Sequence, residues 1–421
     1  MKIIVSHVYS SDNKGDAALA SVLLRDIERQ YPGAEVTLLT FEKFSQPTYE
    51  GARQLNSFMY HALTRYSNKA VKLLYAAYVS AATLLWAVGR RTLGIDMPLP
   101  RHLRQIAREY ASADMVITVG GGYIRSGRSV VQSINLFLQL HPLVFGRILK
   151  KPTVIYTQSI GPFYRGIERW AVAAVLKRMD LVILREDFSR QLLEKLGVTG
   201  NVVRSVDSGF LLETDKTYGL RKQLGVGKKD ILVGVTVRKW LSGAGQQQYE
   251  TAIAHTIDYM IETYKATVVF IPQVTATFHH DDDREASRDV HRHLRHKEQA
   301  HIITDDIDHY DIKAMYNELD LIIGTRFHSV IFSLTSRVPA LAIEYEHKTS
   351  GIMHDLGLDE WVMKIEDVTP ERMQAKIDEL FASHHTYTAH LESELPAYIE
   401  KAKEAIVLTD GAYRKTLREI D

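Results

Sequence analysis

Four basic side chains follow apolar runs that the residue pattern predicts to be β-strands. They are Arg185, Arg326, His328 and Lys348. In an open parallel sheet, ligands bind beyond the carboxyl ends of the strands, where such residues would lie. Arginine presents a bidentate fork to a carboxylate or phosphate, and lysine presents a point charge. The set therefore predicts a site for a small, strongly anionic substrate.

Each of these residues also has a structural interpretation. An ion pair with Glu186 or Asp187 would explain Arg185, since exposed pairs of this kind are common and weak. Arg326 is harder to explain in this way, because a charge directly after a buried strand is costly unless it is paired or functional. His328 taken alone would more often be a structural histidine.

Three further loops follow predicted strands at the same edge. They are residues 13–16, 120–123 and 158–162. The run Gly120-Gly121-Gly122 allows close approach of the backbone to a ligand or a tight turn. It does not complete a G-x-G-x-x-G pattern, because Ser126 occupies the final position, so a dinucleotide site is not indicated.

The elements that would position these residues repeat as apolar run, loop and helix. Predicted strands cover residues 3–5, 36–39, 115–119, 153–157, 181–184, 231–236, 267–271, 302–304, 321–323, 340–343 and 361–365. Continuous Val/Ile runs indicate strands covered on both faces, as in parallel sheets, and alternation with helices indicates a doubly wound α/β fold. We expect one Rossmann-like domain over residues 1–216, a second over 217–384, and a helical arm over 385–421.

Residues 41–101 depart from this pattern and are expected to form an insertion. Residues 73–89 contain no charge, and residues 60–105 carry seven Lys or Arg against the single acid Asp96. Seventeen residues are at the short limit for crossing a bilayer, where about 20 are typical. The segment is either a buried helix or a surface helix that dips into a membrane through residues 70–91, with basic flanks attracted to anionic lipid.

Composition narrows the function classes. The 421 residues contain 45% hydrophobic and 24% charged residues, ordinary for a globular chain of two or three domains. Lys+Arg 52 against Asp+Glu 51 argues against nucleic acid as a partner. Cysteine is absent, which excludes disulfides and thiolate metal sites. No secretory signal is visible at the start, so a cytoplasmic location is expected.

Residues 279–309 are rich in histidine, which raises the hypothesis of a metal site. The spacing of these histidines argues against it. His291, His293 and His296 lack the i, i+4 spacing that would share a helix face. The neighbouring run Asp281-Asp282-Asp283 is placed where a helix would start, and carboxylates are favoured there by the helix dipole. No metal is expected.

In several motifs the sequence resembles the polysaccharide pyruvyl transferase family. The motifs are Asn13-Lys14-Gly15-Asp16, Gly120-Gly121-Gly122, Gln158-Ser159-Ile160-Gly161-Pro162, Arg185-Glu186-Asp187-Phe188-Ser189, Val206-Asp207-Ser208-Gly209-Phe210, Arg326-Phe327-His328-Ser329 and Tyr345-x-x-Lys348. The resemblance extends from about residue 3 to 360. It implies two Rossmann-like domains in a GT-B-type arrangement with an interdomain cleft.

The resemblance also implies an activity, the transfer of pyruvate from phosphoenolpyruvate (PEP) to a sugar diol. The products would be a cyclic ketal and phosphate, with PEP as co-substrate and no cofactor. Arg185, Arg326 and Lys348 would bind PEP, and His328 would protonate its methylene carbon. The further expected substrate ligands are Asn13, Gly121, Gly122 and Gln158.

Asp16 would be a base for a sugar hydroxyl, contributed by the domain opposite His328. Its alternative role is that of a first-turn carboxylate that stabilises a helix N-terminus. The acceptor would be a polysaccharide or a lipid-linked glycan precursor, which fits a cytoplasmic enzyme at the inner face of a membrane. Neither the sugar nor the oligomeric state follows from the sequence.

Two other functions fit parts of this pattern. A GT-B-type glycosyltransferase that uses a nucleotide sugar commonly cradles the diphosphate on a glycine-rich helix start. Here the corresponding residues are Thr325-Arg326-Phe327-His328, with no glycine after Gly324, which argues against it. A non-catalytic glycan-binding protein would be expected to lose the cationic set, which is present.

Overall fold

The computed structural model describes residues 1–41, 49–276 and 281–419. It divides into two compact units. The N-terminal unit comprises Met1–Ser11, Leu19–Ser208 and Lys401–Asp421, and the C-terminal unit comprises Asp12–Ala18 and Gly209–Glu400. Each unit is built on a parallel sheet covered by helices, so the expected α/β class with two Rossmann-like domains is confirmed.

The division of the chain differs from the expected one in three places. The main change of unit lies between Ser208 and Gly209, not at residue 216. The expected arm over residues 385–421 is divided between the two units. Its residues up to Glu400 belong to the C-terminal unit, and those from Lys401 onward belong to the N-terminal unit. Asp12–Ala18 belongs to the C-terminal unit, although it lies between two segments of the other unit in the sequence.

A seven-stranded parallel sheet forms the centre of the N-terminal unit. Its strands are β1 (Lys2–Val8), β2 (Glu35–Thr40), β3 (Ala52–Asn56), β4 (Met115–Thr118), β5 (Thr153–Gln158), β6 (Leu181–Leu184) and β7 (Val202–Arg204). Their order across the sheet is β3-β2-β1-β4-β5-β6-β7. The buried strand residues are mostly Val, Ile and Leu, as expected for strands covered on both faces.

Helices cover both faces of this sheet. They are α1 (Lys14–Gln30), α2 (Phe58–Thr64), α3 (Lys69–Leu93), α4 (Arg101–Ser112), α5 (Val130–Ile148), α6 (Gly166–Leu176) and α7 (Asp187–Lys195). One face packs against α1 and the C-terminal part of a long helix, α15 (His384–Arg418). The other face packs against α2 to α7.

The C-terminal unit has a six-stranded parallel sheet and a two-stranded ribbon. The strands are β8 (Leu232–Thr236), β9 (Thr267–Phe270), β10 (Thr275–Ala276), β11 (Asp281–Asp282), β12 (Ala300–Ile302), β13 (Leu321–Gly324), β14 (Ala340–Glu344) and β15 (Val362–Lys364). The main order is β12-β9-β8-β13-β14-β15, and β10 pairs antiparallel with β11.

The remaining helices belong to this unit. They are α8 (Leu220–Gln223), α9 (Ala244–Tyr264), α10 (Asp283–Arg292), α11 (His309–Tyr316), α12 (Phe327–Thr335), α13 (Lys348–Asp355) and α14 (Pro370–Ala382). The short connections from β13 to α12 and from β14 to α13 bring the starts of both helices to one edge of the sheet. The expected site residues Arg326, His328 and Lys348 lie at these helix starts.

The expected insertion at residues 41–101 is partly integrated into the sheet. Its strand β3 extends the sheet edge by pairing in parallel with β2, which the sequence analysis missed. Helix α3 is long and apolar enough to cross a membrane by length and composition, but part of it is buried in the protein. Val79 and Trp86 belong to the core, whereas Leu74 and Leu85 are exposed. The helix therefore has one buried face and one exposed face, and the dipping of this segment into a membrane stays a prediction.

Candidate functional site

Arg326 lies at the junction between β13 and α12 in the C-terminal unit. Its Nε donates to both carboxylate oxygens of Asp283, at 3.0 and 3.1 Å. Its Nη2 lies 2.5 Å from Oδ1 of Asp283 and 2.5 Å from Oδ1 of Asp281. The guanidinium fork that was expected to face PEP is thus occupied by two carboxylates of the protein.

Asp283 is itself fixed by the backbone. Its carboxylate accepts hydrogen bonds from the backbone N–H groups of Gln273 and Val274, both at 3.0 Å. Burial raises the pKa of Asp283, and the positive charge of Arg326 opposes that effect. For Arg326 burial favours loss of the proton, but Asp283 and Asp281 outweigh it and raise the pKa, so the guanidinium stays charged. This arrangement holds Arg326 in one orientation.

His328 lies in the first turn of α12 and is buried. Its imidazole packs against Gly15, so closely that a Cβ on Gly15 would lie 1.9 Å from Nδ1. Gly15 is held there by backbone hydrogen bonds of the two nearby residues Asp12 and Lys14, which precede it. The N–H of Lys14 donates to the carbonyl of Gln273, and the N–H of Thr275 donates to that of Asp12, each at 2.9 Å. Only a glycine leaves room for the ring at this position.

Asn13 and Asp16 lie in the same unit as His328, so the expectation that Asp16 comes from the opposite domain was wrong. Oδ1 of Asn13 accepts from the N–H groups of Gly15 and Asp16, at 3.2 and 3.4 Å. Its Nδ2 donates to the Asp16 carboxylate at 2.7 Å. Asn13 therefore acts as a cap for α1, and Asp16 sits in the first turn, where the helix dipole favours a carboxylate.

Lys348 belongs to a cluster of cations around the half-buried phenol of Tyr345. Lys348 pairs with Glu346 at 2.8 Å, and its Nζ lies 5.7 Å from the centre of the Phe327 ring. Burial of the Tyr345 phenol would raise its pKa, but Arg238, Lys348 and Arg326 together lower it below the ordinary value. These three cations therefore outweigh both burial and the neighbouring Glu346 at the phenol.

Arg238 completes this cluster and was missed by the sequence analysis. Its guanidinium lies 4.3 Å from the centre of the Tyr345 ring and 4.7 Å from that of Trp240. Its Nη2 lies 3.6 Å from Asp281. Arg238 follows β8, so the rule that selected Arg326 after β13 would also have selected it.

Arg185 occupies the corresponding position in the N-terminal unit, after β6. The guanidinium is buried, and each nitrogen has a partner within the protein. Nε donates to Ser159 at 2.7 Å, Nη1 donates to Asp207 at 2.5 Å, and Nη2 donates to the carbonyl of Gly121. The side chain thus ties together the loops after β4 and β5. The carboxylate that pairs with Arg185 here is Asp207, whereas the sequence analysis considered Glu186 or Asp187.

The other expected ligands of this unit lie beside Arg185. Gly122 has φ 140°, a conformation that glycine adopts readily, and a Cβ there would come within 3.2 Å of Ser159. Gln158, at the end of β5, donates to Thr118 at 3.1 Å. Its Oε1 is buried and accepts no hydrogen bond from residues that the structure describes.

No metal site was expected, and the described ranges contain no group of three or more His, Asp or Glu residues that could hold an ion. His279 and His280, which prompted the metal hypothesis, lie outside the described residues. The helix start expected near residues 281–283 is present as α10. The role of Asp281 and Asp283 as partners of Arg326 was not foreseen.

The family model described as polysaccharide pyruvyl transferase matches residues 13–347. The chain belongs to this family. The match includes the whole run from Asn13, which caps α1, to His347, next to Lys348. The activity class of the chain is therefore that of a transferase, a pyruvyl transferase.

This chain is also similar to a named relative and to solved structures. The amylovoran biosynthesis protein AmsJ of Erwinia amylovora is 24% identical over 395 residues, which cover 90% of this chain and 91% of that protein. UDP-GlcNAc 2-epimerase from Neisseria meningitidis, bound to UDP-GlcNAc, has a TM-score of 0.60 at 10% identity and covers 97% of this chain and 98% of its own. HepE of Anabaena, in complex with UDP-glucose, has a TM-score of 0.57 at 15% identity over 100% of both chains. The structural matches show the fold alone, of the GT-B type.

Proposed function

We propose that this pyruvyl transferase moves pyruvate from PEP to a sugar diol of a polysaccharide or lipid-linked glycan precursor, forming a cyclic ketal and releasing phosphate. The observation that carries the proposal is the seating of His328 against Gly15 in the unit that holds Arg326, Arg238 and Lys348. A proton donor and several cations are the groups that PEP chemistry needs. Family membership supports the same activity.

The proposed anion contacts are Arg238 and Lys348. Their side chains are 12% and 19% exposed, respectively, whereas Arg326 is engaged by two carboxylates. Nε of Arg238 is buried and makes no hydrogen bond to any described residue. We propose that a phosphate or carboxylate oxygen supplies the missing acceptor, in a charge-assisted hydrogen bond. We assign Arg326 a positioning role through its fixed charge.

The proposed reaction begins with proton transfer from the His328 imidazolium to C3 of PEP. Protonation makes C2 electrophilic, and one sugar hydroxyl forms a C2–O bond while its proton is taken up by a base. The second hydroxyl then forms a bond to C2, the bond from C2 to the phosphate oxygen breaks, and the last proton leaves with phosphate. Nearby cations stabilise the departing phosphate. PEP is the co-substrate, and no cofactor is part of the proposal.

The roles of the remaining site residues are also proposals. Asp16 could take the first hydroxyl proton only by releasing its bond to Asn13, so its structural role competes with this one. Arg185 would need to exchange protein partners to contact PEP directly, and we propose that it positions the loop that carries Gly121 and Gly122. The unsatisfied Oε1 of Gln158 would accept from a sugar hydroxyl. We further propose a cytoplasmic location, where PEP is available.

The test is incubation with PEP and candidate acceptors, followed by mass spectrometry of the acceptor and measurement of phosphate. His328→Ala should retain PEP binding and lower kcat about 10²–10⁴-fold, the usual worth of a general acid. His354→Ala is the matched control, since its side chain is 77% exposed at the surface of the same unit. Stabilisation by UDP-glucose but not by PEP in a thermal-shift assay would refute the proposal in favour of a nucleotide-sugar enzyme.

A further inference from the structure

Helix α3 presents a second apolar face to solvent, opposite its buried one. Large apolar side chains recur at helical spacing along this face, which we call the outer stripe. It consists of Val71, Leu74, Tyr78, Leu85 and Val88, all exposed. Leu74 is 73% exposed and Leu85 is 60% exposed, so no residue that the structure describes in the N-terminal unit covers them. A solvent-facing side of a helix is normally polar.

The inner face of α3 is fixed to the unit. Thr83 contacts Nε2 of His141 at 2.9 Å, and the indole N–H of Trp86 donates to Asp96 at 2.6 Å. Trp86 also stacks near Phe145, with ring centres 6.2 Å apart. Buried residues of α3 extend from Ala76 to Gly89, so this part of the helix lies on the unit with the outer stripe facing away from the core.

Neighbouring helices also carry exposed apolar side chains. Helix α5 packs beside α3, and α6 is joined to the start of α5 by Glu168, whose carboxylate accepts from Ser133. Exposed large apolar side chains on these two helices are Val130, Val131, Phe137, Ile167 and Trp170. Trp170 is 68% exposed. All three helices cover the same face of the sheet, so the apolar residues belong to one helical layer.

The charges that α3 itself carries have a single sign. Lys69 and Lys72 lie in the first turn of α3, and Arg90 and Arg91 lie in its last turns. From residue 61 to residue 95 the sequence contains no Asp or Glu. An apolar stripe with cations at both ends is the composition of helices that lie in the interface of an anionic bilayer.

We propose that the outer stripe of α3 docks this protein on the surface of an anionic lipid bilayer. The helix lies in the plane of the interface and does not cross the bilayer, because its inner face is part of the core. This proposal does not depend on the PEP chemistry. A second copy of the chain fits less well. Antiparallel pairing of two α3 helices would place Lys69 and Lys72 of one copy beside Arg90 and Arg91 of the other.

The test is co-sedimentation of the full-length protein with vesicles of phosphatidylcholine, with and without phosphatidylglycerol. We expect binding only with the anionic lipid, and weaker binding at high salt. Replacing Lys69 and Lys72 by Gln should lower the partition coefficient about fivefold per cation, since each contributes about 1 kcal/mol near such a surface. Leu85→Glu should lower it more than tenfold, because it buries a charge of the wrong sign.

Val407→Glu is the matched control. Val407 is 62% exposed on α15, which packs on the opposite face of the same sheet. This variant should bind vesicles as the wild type does, and both Glu variants should keep the melting temperature. The proposal would be overturned if the wild-type protein did not bind anionic vesicles. It would also be overturned if Leu85→Glu bound them as tightly as the wild type. A wild-type dimer in light scattering that Leu85→Glu dissociates would overturn it as well, and would assign the surface to self-association.

Discussion

Gly15 provides the sharpest test of the site geometry. The substitution Gly15→Ala adds one methyl group in the first turn of α1, where it would lie 1.9 Å from Nδ1 of His328. Ordinary contacts of a Cβ begin at 3.4 Å, so the imidazole or the helix start must move by about 1.5 Å. Backbone hydrogen bonds at Asp12 and Lys14 resist movement of the helix, which leaves the imidazole to move.

The expected cost follows from that displacement. A misplacement of about 1 Å at a reacting group can lower the rate about 10²-fold, so kcat of Gly15→Ala should fall by at least that factor. PEP affinity should change little, since Arg238 and Lys348 are untouched. The clash should also affect the free energy of unfolding. Alanine in a helix is normally more stable than glycine by about 0.5–1 kcal/mol, and Gly15→Ala should not gain this.

The assay is phosphate release at saturating PEP and acceptor, with PEP affinity measured by calorimetry and stability by thermal melting. Gly411→Ala is the control, because Gly411 also lies in a helix and has nothing within 4 Å of its Cβ position. A double variant, Gly15→Ala with His328→Ala, should be no slower than His328→Ala alone. Such non-additivity would show that Gly15 acts through the imidazole.

Two results would refute this reasoning. One is turnover by Gly15→Ala within a few-fold of wild type. The other is a gain in melting temperature equal to that of Gly411→Ala, which would mean that the methyl group meets no obstacle.

Three other predictions concern buried ionisable side chains. Asp283→Ala should lower the free energy of unfolding by about 3–5 kcal/mol, because Arg326 keeps its charge in a buried place, and a melting temperature within error of wild type would contradict this. Arg185→Lys should cost about 1–3 kcal/mol through lost hydrogen bonds, and melting curves should show it. Burial lowers the pKa of His141 to about 4. The unfolded chain binds its proton near pH 6.5, so stability falls as the pH drops from 6.5 to 4, by about 2 kcal/mol at pH 5 for this residue. In His141→Gln this slope should be smaller in denaturant titrations.

The strands that bear the site were predictable because they are continuous apolar runs. Nearly all the predicted strands appear, and those inside the sheets are covered on both faces, whereas the edge strands β12 and β15 are partly exposed. The strands β3 and β7 were missed, because edge strands are short and half-exposed and carry a weaker apolar signal. The placement of Arg326 and His328 was predictable from the rule that ligands bind beyond strand ends.

The partners of those residues were not predictable. Asp281 and Asp283 stand some 45 residues before Arg326 in the sequence, and nothing in their spacing connects them. The same holds for Asp207 and Arg185 and for Gly15 and His328. Such pairs arise from where the sheet order brings loops together.

The sequence by itself determined the α/β class, the family motifs and the cationic residues after the strands, because periodicity and residue type are local properties. Only the tertiary structure decided which of those cations face protein carboxylates, that Asp12–Ala18 packs in the unit of His328, and that α3 is apolar on both faces. These depend on contacts between residues far apart in the chain. A guanidinium has the same local sequence signal whether its partner is a ligand or a buried aspartate, and burial alone separates the two.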